Sequence, residues 1–283
     1  MELAVLSGKG GTGKTTIAIA LSELSKGSMR IDCDVDAPNL YLFYRGKDKE
    51  REAFFGGKKA YIDKAFCIMC GKCKSICKFD AIDNYKVNSF SCEGCGACVI
   101  VCENNAIKLI SEKTADTVIT SLEKGIISRA EMMVGSDGSG KLITSLRKNA
   151  KKFSDNEKII IIDGSPGIGC PVIASITGTN AVLIVAEPTK SGLEDLKRVL
   201  SLCEHFGVLT MVCINKYDIN LEISSEIEEY VLNKNLFLAG RIPYDDMVRR
   251  SINELNPITN YNESQAKKAI EDMWLNIKNK LKI

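Results

Sequence analysis

Two stretches of this chain hold residues whose types and spacing suit chemistry. The first is Gly8-Lys9-Gly10-Gly11-Thr12-Gly13-Lys14-Thr15-Thr16, which fits G-x-x-x-x-G-K-[ST]. Glycines let successive backbone N–H groups turn inward around phosphate oxygens, and the N-terminus of a following helix adds partial positive charge. Lys14 can then reach the outer phosphates and the Thr15 hydroxyl suits Mg²⁺. The second stretch is cysteine. Cys67-x₂-Cys70-x₂-Cys73-x₃-Cys77 is followed by Cys92-x₂-Cys95-x₂-Cys98-x₃-Cys102, so eight of the twelve cysteines fall in one short segment. Thiolates at these spacings bind metal. Structural zinc is the competing reading, but it usually takes separated pairs in one tetrahedral site, often with histidine. The only histidine, His205, lies far away at an expected helix C-terminus, where a cation is favourable.

The elements around these residues alternate. An apolar run at 3–6 ends in the glycines and a helical period covers 14–25. A weak strand is expected at 29–33 and a helical turn at 39–44. Charged residues at 45–51 and the pair Gly56-Gly57 read as a linker. The cysteine-rich segment repeats internally at an offset of 25 residues, down to the trailing Ala81-Ile82 and Ala106-Ile107. Apolar runs at 158–163, 181–186, 209–214 and 236–242 then read as strands, with helices at 191–205 and 221–233 between them. Fully apolar strands alternating with helices mean an α/β fold with a parallel sheet. The domain assignment that follows is one discontinuous domain over 1–57 and 111–283, interrupted by a cysteine-rich module at 58–110. A second G-x-x-x-x-G-K begins at Gly135, but Leu142 stands where the hydroxyl should be, so it reads as a loop before a helix at 141–152.

Lys9, early in the first loop, makes that loop resemble the deviant Walker A of the MinD/ParA/Mrp P-loop ATPases. Ile31-Asp32-Cys33-Asp34 resembles that family's switch I and Ile161-Ile162-Asp163-Gly164-Ser165-Pro166-Gly167 its switch II. Asn215-Lys216 matches the base-recognition position, and Pro243 lies where the family's backbone contacts the base. The resemblance implies ATP hydrolysis with Lys9, Lys14 and Asp34 as catalytic residues, Asp34 positioning the attacking water. It implies nucleotide binding by Gly8, Gly10, Gly11, Thr12, Gly13, Lys14, Thr15, Thr16, Asn215 and Pro243, and Mg²⁺ held through Thr15 and Asp163. It also implies a dimer, of identical chains or with a paralogue, in which Lys9 of each chain reaches the other's phosphates as an arginine finger does. Asn215-Lys216-Tyr217-Asp218 also spells N-K-x-D, a guanine-reading motif, so GTP stays open as an alternative.

The cysteine runs resemble those of two-cluster bacterial ferredoxins, where the fourth cysteine of each run ligates the other cluster. The resemblance implies two [4Fe–4S] clusters, one on Cys67, Cys70, Cys73 and Cys102, the other on Cys77, Cys92, Cys95 and Cys98. Lys78 and Glu103 replace the proline usual after the fourth cysteine. Together the motifs resemble the MinD-superfamily ATPases with an inserted ferredoxin domain.

A net charge of +2 gives no reason to expect nucleic acid as a partner. No window is apolar enough to cross a membrane, nothing signals export, and the thiols suit a reducing cytoplasm. Cys33, Cys170, Cys203 and Cys213 read as small buried hydrophobes. Cys170 also lies seven residues after Asp163, the offset of a cluster ligand in the nitrogenase iron protein. A last helix carries an apolar stripe of Ile270, Met273, Trp274, Ile277 and Leu281 beside lysines. Packing on the sheet is the preferred reading, with membrane association the other. Three functions compete: coupling ATP hydrolysis to electron transfer with an unidentified redox partner, carrying or assembling metal cofactors, and redox-responsive positioning of cell machinery.

Overall fold

The computed structural model describes residues 1–25, 28–153 and 159–283; Lys158, expected to open a strand, lies outside them. The residues divide into two compact units. One comprises Met1–Arg51, Thr117–Glu131 and Gly138–Ile283, the other Glu52–Asp116 with Met132–Asp137.

The first unit opens with β1 (Glu2–Ser7), the glycine loop and α1 (Lys14–Leu24), then β2 (Met29–Asp32) and a 3-10 turn at Leu40–Phe43. β3 (Lys47–Phe54) follows, where the sequence reads as a linker. It is the outermost strand on one side of a nine-stranded sheet ordered β13-β12-β11-β1-β10-β2-β9-β8-β3. Its charged residues are what an edge strand carries to prevent further pairing, and they hide its strand character in the sequence. β8 (Ala115–Ser121) and β9 (Ile126–Met132), joined by four residues, form an antiparallel hairpin beside it.

The chain continues through α4 (Gly140–Lys151), β10 (Ile160–Pro166), α5 (Cys170–Ile176), β11 (Ala181–Ala186), α6 (Lys190–His205) and β12 (Leu209–Asn215). It closes with α7 (Leu221–Asn233), β13 (Phe237–Ile242), α8 (Asp246–Asn253) and α9 (Gln265–Leu281). The pairings from β13 through β11, β1, β10 and β2 to β9 are all parallel. At the centre, β1 and β11 are buried at every position, as strands covered by helices on both faces are. β1 is central, with β10 on one side and β11 on the other, so the glycine loop leaves the sheet near the reversal of strand order. One core unites β1, β11 and β12 with Ile17 and Leu21 of α1 and with Ile270, Met273, Trp274 and Ile277 of α9. The C-terminal stripe is therefore spent inside the protein and does not present a membrane-binding face. Among the described residues no helix is long and apolar enough to cross a membrane.

The second unit holds β4 (Gly57–Ile62), α2 (Lys72–Ile76), β5 (Ile82–Asp83), β6 (Lys86–Val87), α3 (Ala97–Ile100) and β7 (Ile107–Glu112). The 25-residue sequence repeat is also a backbone repeat. Met69 and Gly94, Gly71 and Gly96, and Asp80 and Asn105 are three pairs at that offset, and all six residues have positive φ. β4 pairs antiparallel with β7, placing Ile62 opposite Ile107, and β5 pairs with β6, placing Ile82 opposite Val87. Each copy thus pairs across to the other. A small core of Ala60, Ile62, Ala81, Ile82 and Ile107 closes around Cys73, Cys92 and Cys98.

Candidate functional site

The glycine loop sits at the C-terminal end of β1. Gly11 and Gly13 have φ of +80° and +89°, which L side chains rarely adopt. Lys14 opens α1 and is almost wholly buried. Its ammonium donates to Asp163 Oδ1 at 2.6 Å and lies 3.5 Å from Asp34 Oδ2. Burial alone would depress the Lys14 pKa, but the Asp163 charge, then Asp34 and Asp32, outweigh it and hold the pKa above the ordinary lysine value. Asp34 is raised by burial, against the pull of Lys14. Asp32 is raised well above the carboxylate range by its complete burial and by the nearby Asp163.

Asp32 has a local task the motif reading did not assign. It accepts the backbone N–H groups of Asp34 and Leu40, and so shapes the segment that carries Asp34. Asp163 lies inside β10, which runs on to Pro166, rather than at its end. Its carbonyl accepts the Cys33 N–H at 2.8 Å and Ser165 Oγ donates to the Cys33 carbonyl at 2.6 Å, joining the two expected switch segments. Asp163 Oδ2 and Thr12 Oγ1 are buried without a hydrogen-bond partner among the described residues. An orphaned carboxylate oxygen and hydroxyl beside a glycine loop are suited to Mg²⁺ and phosphate.

Asn215 donates from Nδ2 to the Thr12 carbonyl at 2.7 Å, which brings the end of β12 against the loop. Pro243 follows β13 directly. Thr15 Oγ1 lies 3.5 Å from the Lys14 ammonium and Thr16 sits in the first turn of α1. Lys9 is a third exposed and pairs with Glu187 Oε2 at 3.3 Å, its ammonium also 3.3 Å from Thr189 Oγ1. Lys216 reaches the other oxygen of Glu187 at 2.7 Å. Burial would raise the Glu187 pKa, but its two lysines hold it low. Glu187 and Thr189 escaped the sequence reading; their only signal is a polar pair closing the apolar run of β11.

The second glycine-lysine sequence is a helix cap. Gly138 N–H donates to Asp36 and Ser139 Oγ accepts the Leu142 N–H at the start of α4. Cys33, Cys203 and Cys213 are buried as expected, but Cys170 is exposed at the first turn of α5. The correction follows from position: the first residue of a helix ending a loop has few neighbours to cover it.

In the second unit two cavities divide the eight cysteines. Cys67, Cys70, Cys73 and Cys102 line one; Cys77, Cys92, Cys95 and Cys98 line the other. Among the described residues no three His, Cys, Asp or Glu side chains are grouped to hold a single metal ion.

The CobQ/CobB/MinD/ParA nucleotide binding domain matches residues 3–258. The chain belongs to this family. It carries a MinD/ParA-type P-loop ATPase domain. Among curated relatives, the uncharacterized protein MJ0578 of Methanocaldococcus jannaschii is 38% identical over 228 residues, 78% of this chain and 79% of that protein. The uncharacterized ATP-binding protein MJ0547 of the same organism is 22% identical, over 96% of this chain and 86% of its own. The septum site-determining protein MinD from Pyrococcus horikoshii, solved with Mg-ADP, superposes with a TM-score of 0.59 at 18% identity. That match covers 99% of this chain and 96% of the other. It shows a shared fold, a mainly parallel MinD/ParA sheet.

Proposed function

We infer that this MinD/ParA-family chain binds ATP with Mg²⁺, hydrolyses it as a dimer, and carries two [4Fe–4S] clusters whose redox state is linked to the nucleotide. The observation that carries the ATPase reading is the buried Lys14 cradled by Asp163 and Asp34, with unpartnered Asp163 Oδ2 and Thr12 Oγ1 beside it. Lys14 would exchange its carboxylates for phosphate oxygens, and Mg²⁺ at Thr15 and Asp163 would neutralise charge on the phosphates. Asp34 would orient the attacking water. Among the described residues the Lys9 side chain is tied only to a partly exposed glutamate and threonine, so it can release and reach the phosphates of a facing chain. The partner chain is a second copy or a paralogue, and M. jannaschii holds more than one family member.

The donor sets fit the clusters: four thiols around each cavity, in the crossed combination that the two cysteine runs imply. Bound there, the clusters would supply one-electron transfer. Segment 58–110 then acts as a ferredoxin-like insertion in an ATPase domain of 1–57 and 111–283, in a reducing cytoplasm. Between Asp34 and that segment the chain passes through the 3-10 turn and β3 rather than a free linker, so movement at switch I has a stiff path along the backbone.

Anaerobic reconstitution should yield about eight irons and eight sulfides per chain, and Cys70→Ser should lose about half. Stoichiometric zinc with no iron uptake overturns the cluster reading. Lys14→Ala should abolish ATP binding. Lys9→Ala should bind ATP but lose nucleotide-dependent dimerisation and turnover, and Asp34→Asn should slow hydrolysis and accumulate the dimer. Equal loss of binding in the two lysine variants would mean that Lys9 acts within its own chain.

A further inference from the structure

The residues Asn215-Lys216-Tyr217-Asp218 leave the end of β12, and each is fastened to a different neighbour. Asn215 holds the Thr12 carbonyl and Lys216, with φ of 55°, holds Glu187. The Tyr217 carbonyl accepts the Ser224 hydroxyl at 2.6 Å, and the Tyr217 ring lies under the Arg241 guanidinium at 5.5 Å. The Asp218 carboxylate is committed sideways: Oδ1 accepts the backbone N–H of Tyr244 at 2.7 Å.

That bond acts on a particular peptide unit. Pro243 has no N–H, so the first donor after β13 is that of Tyr244. The Tyr244 N–H and the Pro243 carbonyl belong to one planar peptide, and no bond in the described chain is cis. The two groups therefore point in opposite directions, and holding the N–H sets the aim of the carbonyl. A carbonyl is an acceptor only. Facing a purine, it suits the 6-amino donor of adenine and opposes the 6-oxo acceptor of guanine. We propose that Asp218 is a positioning residue for base selectivity: through the Tyr244 N–H it orients the Pro243 carbonyl toward the base and favours ATP over GTP. This rests on the ATP reading above and on the base contact that the resemblance implies for Pro243, which follows Ile242, the partner of Asn215 in the sheet; it gives the N-K-x-D sequence a role opposite to guanine recognition.

The test is the ATP and GTP dissociation constants of the full-length protein, with Mg²⁺, by titration calorimetry. Asp218→Ala should weaken ATP about tenfold, the effect of losing one charge-assisted bond, and leave GTP nearly unchanged, so the ATP:GTP preference narrows. Asp218→Asn keeps an acceptor at Oδ1 and should hold the preference within about twofold of the parent protein. Asp218→Glu keeps the charge but lengthens the side chain, and should narrow the preference as alanine does; it replaces the alanine variant if that one does not fold. A preference unchanged in both disruptive variants overturns the proposal. So does loss of GTP alone in the alanine and asparagine variants, which would make Asp218 a guanine reader. A parent protein without preference for ATP sinks the ATP reading itself, an outcome seen before any variant is made.

Discussion

Lys14 has two tasks, and they can be separated by pH. Besides its place in the glycine loop it is the cation that lets Asp163, Asp34 and Asp32 share a buried space. Removing one partner of a buried ion pair costs about 3 kcal/mol or more. In nucleotide-free protein, Lys14→Ala should therefore lower stability by that order at neutral pH. The sign with pH follows from the carboxylates. Asp32 and Asp34 already have folded pKa values above their unfolded value of 3.8, so each takes up a proton more readily in the folded state. Stability falls as pH rises through such a window. Lys14 pulls both values down, and its loss widens the window upward. The deficit of Lys14→Ala should thus grow as pH rises and shrink as pH falls, as read by urea unfolding at a series of pH values. A deficit independent of pH would show that Lys14 contributes packing and not charge. Lys14 was legible because a glycine loop followed by lysine has few other uses. The task of Asp32, though not its place in switch I, and Glu187 altogether were not, because a carboxylate that binds a backbone N–H or parks a lysine leaves no spacing to read.

The last helix shows how an amphipathic stripe gains its meaning from its neighbours. Ile270, Met273, Trp274 and Ile277 could face a membrane or a sheet, since periodicity gives the face and not what it meets. Gly240 on β13 settles the matter in the fold: a Cβ added there would lie 2.9 Å from Met273 Cβ. The helix approaches the strand closely enough to require a residue without a side chain. Gly240→Ala should cost about 1–3 kcal/mol by overpacking, and Trp274→Ala about 3–5 kcal/mol by leaving a cavity. Denaturant unfolding checks both, and near-neutral effects would mean that α9 is loosely docked. The same limit explains the edge of the sheet. Parallel central strands announce themselves by unbroken apolar runs, and 181–186 was legible to the residue; β10 runs on three residues past its expected end, and β9, parallel to β2 but interrupted by Arg129 and Glu131, was not read as a strand. β3 was not, because the charges of Lys47–Phe54 that protect an edge also imitate a linker.

At the scale of the whole molecule the inferred linkage between nucleotide and clusters is reciprocal. If reduction changes ATP affinity five- to fiftyfold, the bound nucleotide must move a one-electron potential by roughly 40–100 mV. Midpoint potentials measured with ADP and with a non-hydrolysable ATP analogue should differ by that amount; identical potentials would leave the cysteine-rich unit a passenger. That unit is also internally symmetric. Its two copies pair across and not within, Ile62 with Ile107 and Ile82 with Val87, and they are joined only by Asn84-Tyr85, a two-residue turn with both φ positive. A half-length peptide of this kind would find its strand partner only in a second, identical peptide. The unit therefore has the form of a symmetric pair of short chains joined into one, and the tight turn makes an association that would otherwise depend on concentration independent of it.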